Sequence, residues 1–406
     1  MIFARRSGII TEMKRKDGDA ALMRKIKNLF AGLMASAVLG GVLLSGVSSG
    51  GFHAPAISAS FSGGIVSSAA ASLQSSVSSA AGTLSSLLTE GEGLTGGLSA
   101  LVSIDGEGTP EGTDPEYSER SDDLITGGDV VVDTDYCLYY TFLSKDEQRL
   151  YKQIYANALA GVERFAPICT VKIPQLRETL TAVFYDHPGL FWVDTNHFSY
   201  SYTKENTCSA IRLQYHFTGE ELKIAQQQFE EVSNQIVEYA LTCSTDYERE
   251  RYVHDCLIQI NTYDEEAPFS QSAYSALVGG RTVCAGFSRA FQYIMNRLHI
   301  PTYFCVGNSE THAWNIVCLE GGYYNVDLTG DSNDVYGLIH YFFNGTDEDF
   351  ADTHERCGAS VFLPKCEGGE YRCFGEGFLT GNDDRPPEPP GMHLGEFADE
   401  ASYRQP

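Results

Sequence analysis

The first third of the chain lacks most of the residues that build a hydrophobic core. Residues 62–116 contain no Phe, Tyr or Trp, and none of the 11 cysteines precedes residue 137. A segment that cannot bury much apolar surface does not offset the entropy lost on ordering. We therefore expect the folded part of the 406 residues in the C-terminal two-thirds. About 250 residues are enough there for one well-buried domain.

Basic residues are also scarce. The chain has 28 Lys and Arg against 54 Asp and Glu, which gives a formal net charge of −26. A surface this acidic repels the phosphate backbones of DNA and RNA. We therefore expect no nucleic acid among the partners of this protein.

A basic stretch followed by an uncharged one lies near the N-terminus. Residues 24–27 (RKIK) precede residues 29–47, which are apolar or small throughout. This pattern is typical of a secretory signal or a signal anchor. The uncharged run is close to the shortest that spans a bilayer, so cleavage and membrane anchoring are both open. The pattern predicts a secreted or extracellular protein, with residues 1–47 as a cytoplasmic stub and signal.

The remaining chain divides by composition into three parts. Residues 48–134 are rich in Ser, Gly and Ala and then acidic, which predicts a disordered linker. Residues 382–406 are rich in Pro, Gly and charge and predict a disordered tail. The domain between them, residues 135–381, has a helical part at 135–262 and a core at 263–381.

Within this domain the helices come first and the strand-like segments later. Ser144 and Glu147 form a capping box, which predicts a helix to about Ala160. Further helices are predicted from Pro174 to the turn at 187–189, at 219–241, at 245–262 and at 284–298. Strands are predicted at 198–202, 211–217, 303–306, 313–319 and 323–328. This order favours an α+β fold.

Cys284 stands where the loop at 278–284 leads into a helix whose apolar face includes Phe287 and Phe291. A helix N-terminus favours a thiolate through its unpaired N–H groups and the positive end of its dipole. The backbone N–H of Cys284 is also placed to bind a developing oxyanion. Gly286, two residues on, would let a substrate approach the backbone closely. These features predict Cys284 as a nucleophile.

A thiol nucleophile needs a base and a group that orients the base. His312 stands at the entry of the predicted strand 313–319, and Asp327 lies on the next, 323–328. Residues 320–322 (EGG) are suited to a hairpin turn between them, so the two strands should pair. The register is open, and the two side chains reach neighbouring levels only if a bulge or stagger intervenes. We predict His312 as the base and Asp327 as the orienting carboxylate.

Three runs of sequence together resemble the transglutaminase-like superfamily of papain-type fold. They are residues 283–291 (VCAGFSRAF), 312–315 (HAWN) and 324–327 (YNVD). Residues 186–192 (DHPGLFW) and 341–344 (YFFN) are similar to segments of bacterial, surface-exposed members. The resemblance implies a papain-like core, with the nucleophile at the N-terminus of a helix packed on an antiparallel sheet. It also implies a Cys284–His312–Asp327 triad and no cofactor.

The surroundings of this triad are less well defined by the resemblance. Trp314 and Asn315 are candidates for supporting the site, with packing and local hydrogen bonding as the alternative. A second oxyanion donor has no clear motif, and Tyr274 is a candidate. Residues 328–331 (LTGD) depart from the family, which commonly has Thr-Trp after the Asp. One wall of the site is therefore undefined.

The resemblance implies an exported or surface-tethered cysteine acyl-transferase or hydrolase that acts on protein or peptide amides. Cross-linking, deamidation and proteolysis are all compatible with it. The alternative is a binding or adhesion module on the same scaffold, in which His312 would not reach the sulfur of Cys284.

The other ten cysteines are possible disulfide partners of Cys284, and a disulfide would remove its nucleophilic thiol. In an oxidising compartment they could form disulfides, and an odd total leaves at least one unpaired. We expect Cys284 to be that one. His354, Cys357, Cys366 and Cys373 could instead hold zinc, but they lack the Cys-x-x-Cys spacing of common structural sites. We therefore expect no metal.

Overall fold

The computed structural model describes residues 104–110, 125–333, 337–338 and 340–375. The predicted signal at 1–47, most of the predicted linker and the predicted tail at 382–406 lie outside these residues. Among the described helices, none is both long enough and apolar enough to cross a bilayer.

The N-terminal half of the domain is mostly helical, as expected. The capping box of Ser144 and Glu147 has both of its hydrogen bonds, and Gly161 ends the same helix in a left-handed conformation. A second capping box, formed by Thr245 and Glu248, opens the helix that contains His254. The helices of this half are α1 (Leu138–Thr141), α2 (Lys145–Ala160), α3 (Ile173–Asp186), α4 (Gly219–Ala240) and α5 (Asp246–Gln259).

One sheet belongs to this half. Its strands are β1 (Asp105–Pro110), β2 (Arg164–Phe165), β3 (Val193–Tyr202) and β4 (Cys208–Tyr215), in the order β1-β3-β4-β2. The predicted hairpin is confirmed, because β3 and β4 pair antiparallel. The linker prediction was wrong for residues 105–110, which pair parallel with β3. Arg177 holds this strand by donating to the carbonyl groups of Ile104 and Gly106.

The second half has a central helix packed on a three-stranded sheet. The helix is α6 (Cys284–Arg297), and the antiparallel strands are β7 (Thr302–Gly307), β8 (His312–Leu319) and β9 (Gly322–Val326). Phe287, Phe291 and Ile294 lie on one face of α6 and are fully buried (0% exposed). The α+β prediction, with a nucleophile candidate at the start of a helix on an antiparallel sheet, is confirmed.

The hairpin of β8 and β9 settles the register that the sequence left open. Leu319 pairs with Gly322 across a two-residue turn, and the ladder continues regularly to Asn315 and Val326. Asp327 comes next, beyond the last pair. It therefore lies diagonally across from His312, a distance that long side chains can bridge. No bulge is needed.

The remaining elements are short. They are β5 (Thr262–Tyr263), β6 (Arg281–Thr282), α7 (Leu328–Asp331), β10 (Ser332–Asn333), β11 (Gly337–Leu338) and α8 (Asp347–Phe350), with a π-helical turn at Ser275–Gly279 and a 3-10 turn at Gly358–Phe362. The predicted loop at 278–284 therefore contains part of a π-turn and a short strand. All 11 cysteines are free thiols.

Candidate active site

Cys284 is the first residue of α6, as predicted. Val283 before it is extended and caps the helix, and the Cys284 side chain is almost fully buried (1% exposed). The backbone N–H of a first-turn residue has no acceptor within its own helix. The N–H of Cys284 can therefore face a ligand at the sulfur.

The proposed role of Gly286 is wrong. A Cβ atom at this position would collide with the side chains of Thr282 and Ser275 and with the carbonyl oxygen of Ser270. The glycine therefore lets α6 pack closely against β6 and the π-turn. It does not make room for a substrate.

His312 and Asp327 meet as predicted. Nε2 of His312 lies 3.0 Å from Oδ2 of Asp327, and both residues are buried. Oδ1 of the same carboxylate accepts the backbone N–H of Thr329 at 2.9 Å, so both oxygens of Asp327 are held. Since Nε2 faces Asp327, Nδ1 is the ring nitrogen left for the sulfur of Cys284.

The charges of the three side chains reinforce one another. Burial alone lowers the pKa of His312, but the charge and hydrogen bond of Asp327, together with the Cys284 side chain, raise it to about 10. Burial raises the pKa of Asp327, but His312 and His354 hold it well below its usual range. At neutral pH the geometry therefore favours an imidazolium paired with a carboxylate.

His354 is a site residue whose role the sequence did not reveal. Its Nε2 lies 3.1 Å from Oδ2 of Asp327, the oxygen that His312 also contacts. Thr353 bonds to Nδ1 of His354 at 2.8 Å, and the His354 ring packs against Trp314. Burial lowers the pKa of His354. A neutral His354 therefore donates to Asp327 and helps to fix its carboxylate.

Tyr263 was also missed. It pairs with Thr282, two residues before Cys284, and is 41% exposed. Partial burial and the nearby Cys284 raise the pKa of Tyr263, with smaller contributions from Glu265 and Asp327. A protonated hydroxyl therefore lies beside the triad, available as a donor. Only the pairing of two short, distant strands brings it there, and a sequence pattern does not reveal such pairing.

Trp314 and Asn315 have mainly structural contacts. The Trp314 ring stacks near His312, and its Nε1 donates to Oδ1 of Asn325 at 3.0 Å. Asn315 donates to the carbonyl oxygen of Ser288 at 3.0 Å, which ties β8 to α6. Trp314 supports the site through its contact with the His312 ring, and Asn315 does so by fixing the helix against the sheet.

Tyr274, the candidate for the second oxyanion donor, has a hydrogen bond and a ring contact. Its hydroxyl donates to Oε1 of Gln228 at 2.8 Å, and its ring stacks on Phe191. These contacts place it in an aromatic cluster beside α4. The hydrogen bond with Gln228 points the hydroxyl toward α4, and the role of Tyr274 as an oxyanion donor stays a prediction.

Gly330 occupies the position where the family commonly has a bulky aromatic residue. A Cβ atom here would lie 2.5 Å from the Phe342 ring and 2.9 Å from Oδ2 of Asp327. The Phe342 ring therefore fills this wall of the site, and Gly330 leaves space for it.

The ligand atoms of Cys357, Cys366 and Cys373 do not cluster with those of His354. Among the described residues, two groups could supply three metal ligands within 4.8 Å of one another. One group is His312, Asp327 and His354, which includes two members of the triad. The other is His254, Asp255 and His340. Cys357, Cys366 and Cys373 are in neither.

His187 and Trp192 do not contact the triad. They line a cavity of about 640 Å³ at the other end of α6, next to Tyr293. The His187 ring stacks on Tyr155, and burial lowers the pKa of His187 to about 3. The Trp192 indole donates to the carbonyl oxygen of Ala158. Both contacts are structural.

Comparisons with known proteins include one family match and two solved structures of low identity. Residues 234–328 match the sequence model of the Transglutaminase-like superfamily. No curated protein matches the chain. A solved structure described as a TGase is 16% identical, with a TM-score of 0.25, over 42% of this chain and 52% of that one.

A second solved structure, described as a candidate cysteine protease from Cytophaga hutchinsonii, is also 16% identical, with a TM-score of 0.23. The match covers 37% of this chain and 60% of that one. The chain thus spans between half and two-thirds of the length of these two proteins. Residues 234–328, the part of the chain that matches the Transglutaminase-like superfamily model, contain Cys284, His312 and Asp327.

Proposed function

We propose that this protein is a cysteine acyl-transferase or hydrolase that acts on protein or peptide amides. One observation carries the proposal. Cys284 begins a helix beside a buried His312, and His312 is paired through its other face with Asp327 at 3.0 Å. A nucleophile, a base and an orienting carboxylate in that order are the parts that acyl transfer to sulfur needs.

In the proposed reaction, the thiol proton of Cys284 has passed to His312 before the substrate binds, which gives the imidazolium paired with Asp327. The thiolate sulfur then attacks the amide carbonyl carbon. The carbonyl π electrons move to oxygen, where the backbone N–H of Cys284 donates to the oxyanion. When the tetrahedral intermediate collapses, the C–N bond breaks, and His312 returns the proton to the leaving amine. A thioester on Cys284 remains.

An incoming amine or water then attacks the thioester. His312 removes a proton from the incoming group, the C–S bond breaks, and Cys284 leaves as the thiolate. An amine gives a new amide, and water gives a carboxylic acid. Asp327 stays ionised throughout and stabilises the imidazolium that each step forms.

The experiment that tests this function exposes the protein to a peptide library and a labelled primary amine, followed by mass spectrometry. Amine incorporation, deamidation and cleavage produce different mass changes. Cys284→Ala should remove every product, while Cys256→Ala, at another buried cysteine, should retain them. Products that survive Cys284→Ala would contradict the proposal.

We further propose that residues 24–47 direct export, so that the enzyme acts on proteins outside the cytoplasm or stays tethered at the cell surface. The basic and then uncharged segment supports this. The test is fractionation of cells that express the full chain. Replacing two residues of the uncharged run with Asp should leave the protein in the cytoplasm. Unchanged fractionation would refute this role.

A further inference from the structure

A buried network of charged side chains lies behind Asp327. His254 and Asp255 come from α5, Asp331 ends α7, and all three are fully buried (0% exposed). Nδ1 of His254 lies 2.9 Å from Oδ1 of Asp255, and its Nε2 lies 3.2 Å from Oδ2 of Asp331. Nε2 of His340 lies 2.6 Å from the same Asp255 oxygen. His254 thus bridges two carboxylates with both ring nitrogens.

Asp331 in turn holds the backbone of Asp327 from both sides. The Asp331 N–H donates to the carbonyl oxygen of Asp327 at 3.2 Å. Oδ1 of Asp331 accepts the backbone N–H groups of Tyr341 at 2.8 Å and Phe342 at 2.7 Å. The carbonyl oxygen of Phe342 then accepts the N–H of Asp327 at 3.0 Å. The two backbone groups of Asp327 therefore both depend on how Asp331 is oriented.

Buried charges are costly, and removing one partner leaves the others without compensation. Burial lowers the pKa of His254, but its hydrogen bonds with Asp255 and Asp331 raise it to about 9. The ring is therefore protonated at neutral pH and donates to both carboxylates. Because α5 also packs against α6, His254 connects the helix beneath Cys284 to the segment that carries Asp327.

We propose that His254 is a positioning residue for the triad: it orients Asp331, and Asp331 fixes the backbone of Asp327 so that its carboxylate meets His312. The proposal rests on the proposed function, since the groups that are positioned are those of the acyl-transfer site. His254 itself touches none of the reacting atoms.

The same side chains offer the ligand atoms of a metal site, since those of His254, Asp255 and His340 lie within 4.8 Å of one another. A metal ion would replace the proton that His254 shares with Asp255. We expect the purified protein to carry no stoichiometric divalent metal at these residues. Metal analysis is therefore part of the test.

The test compares His254→Phe with His187→Phe in the full chain. Both changes remove an imidazole and its hydrogen bonding; the His187 ring is half-buried and hydrogen-bonds to the Tyr151 hydroxyl. We expect His254→Phe to lower kcat by about 10- to 100-fold with little change in KM, because a small misplacement of a catalytic group has effects of that size. His187→Phe should leave kcat unchanged.

A second measurement separates positioning from a loss of stability. The pKa of His312, read by NMR of labelled histidine, should fall by about one unit or more in His254→Phe, because Asp327 no longer pairs with it closely. It should stay near the wild-type value in His187→Phe. If His254→Phe does not fold, His254→Gln, which keeps donors without the charge, should give a smaller shift in the same direction.

An unchanged His312 pKa in a folded His254 variant would overturn the proposal, as would one equivalent of metal bound through His254. The NMR measurement does not depend on turnover. A wild-type protein without acyl-transfer activity would therefore refute the proposed function, while the pKa shift would still decide whether His254 positions Asp327.

Discussion

At the residue scale, Asp327 contacts more of the site than any other residue we describe there. One oxygen faces two imidazoles, and the other accepts a backbone N–H. The sequence predicted that Asp327 orients His312, but only the structure reveals that His354 contacts the same carboxylate oxygen. His354 lies 27 positions later in the chain, and no local pattern indicates that the two side chains meet.

The hydroxyl group of Tyr263 is a candidate hydrogen-bond donor to the oxyanion, and its removal tests that role. We expect Tyr263→Phe to lower kcat by about 100-fold, the size expected when one oxyanion donor is removed. KM and the rate of Cys284 alkylation should change little, because the ring is kept. Steady-state kinetics and mass spectrometry measure both.

The matched control is Tyr303→Phe. This hydroxyl donates to the carbonyl oxygen of Asp135 at 2.8 Å. Its loss should leave kcat unchanged. Equal effects of the two substitutions would mean that Tyr263 acts only through packing.

Gly330 tests how closely Phe342 and Asp327 must approach. In Gly330→Ala, the new methyl group meets the Phe342 ring and Oδ2 of Asp327. We expect kcat to fall by about 10-fold or more, because the carboxylate is pushed away from His312. Gly128→Ala, where the new atom meets only the Thr126 hydroxyl at 3.6 Å, is the control. Full activity in Gly330→Ala would contradict this, because it would show that Phe342 and Asp327 can move apart without loss of catalysis.

At the element scale, α6, β8 and the end of β9 each contribute one member of the triad. The helix was predictable because its apolar positions recur at helical spacing and Cys284 begins it. The strands were predictable because residues 320–322 form a turn between two apolar runs. The diagonal contact of His312 with Asp327 was not predictable from the sequence, because Asp327 lies just beyond the last paired residue of β9.

The pairing of these elements should make stability depend on pH. The folded pKa of His312 is raised from 6.5 to about 10, so its contribution is complete below 6.5 and is lost as the pH rises toward 10. The pKa of Asp327 is lowered from 3.8, so its contribution is present above 3.8 and is lost in stronger acid. The His312–Asp327 pair therefore stabilises the fold most between pH 3.8 and pH 6.5.

We expect the difference in free energy of unfolding between the wild type and Asp327→Asn to be largest near pH 5. The difference should shrink by up to about 1.4 kcal/mol for each pH unit above 6.5. Urea titrations at pH 5, 7 and 9 measure it. Replacing His197, which is exposed in its pair with Asp194, should give only a small difference. A constant difference for Asp327→Asn would refute the pairing.

At the scale of the whole molecule, composition predicts the core after residue 135, where most of the aromatic residues lie. It missed β1, since residues 105–110 have little apolar character of their own. The strand is held by pairing with β3 and by hydrogen bonds from Arg177, which are contacts over 71 to 92 positions of the chain. Such contacts depend on the finished fold, so composition alone assigned the strand to the linker.

The whole molecule also presents 11 free thiols that compete for any thiol reagent. Five of them, Cys169, Cys243, Cys318, Cys357 and Cys373, are more exposed than Cys284. If exposure alone set reactivity, these five would react first. If His312 activates Cys284, the buried cysteine should react ahead of them.

The most direct test of the triad is therefore limited alkylation of the native protein with iodoacetamide at neutral pH, followed by peptide mass spectrometry. We predict that Cys284 is modified before the other ten cysteines and that His312→Gln removes this preference. Cys284 reacting no faster than the exposed thiols, or found in a disulfide, would contradict the assignment of Cys284 as the nucleophile.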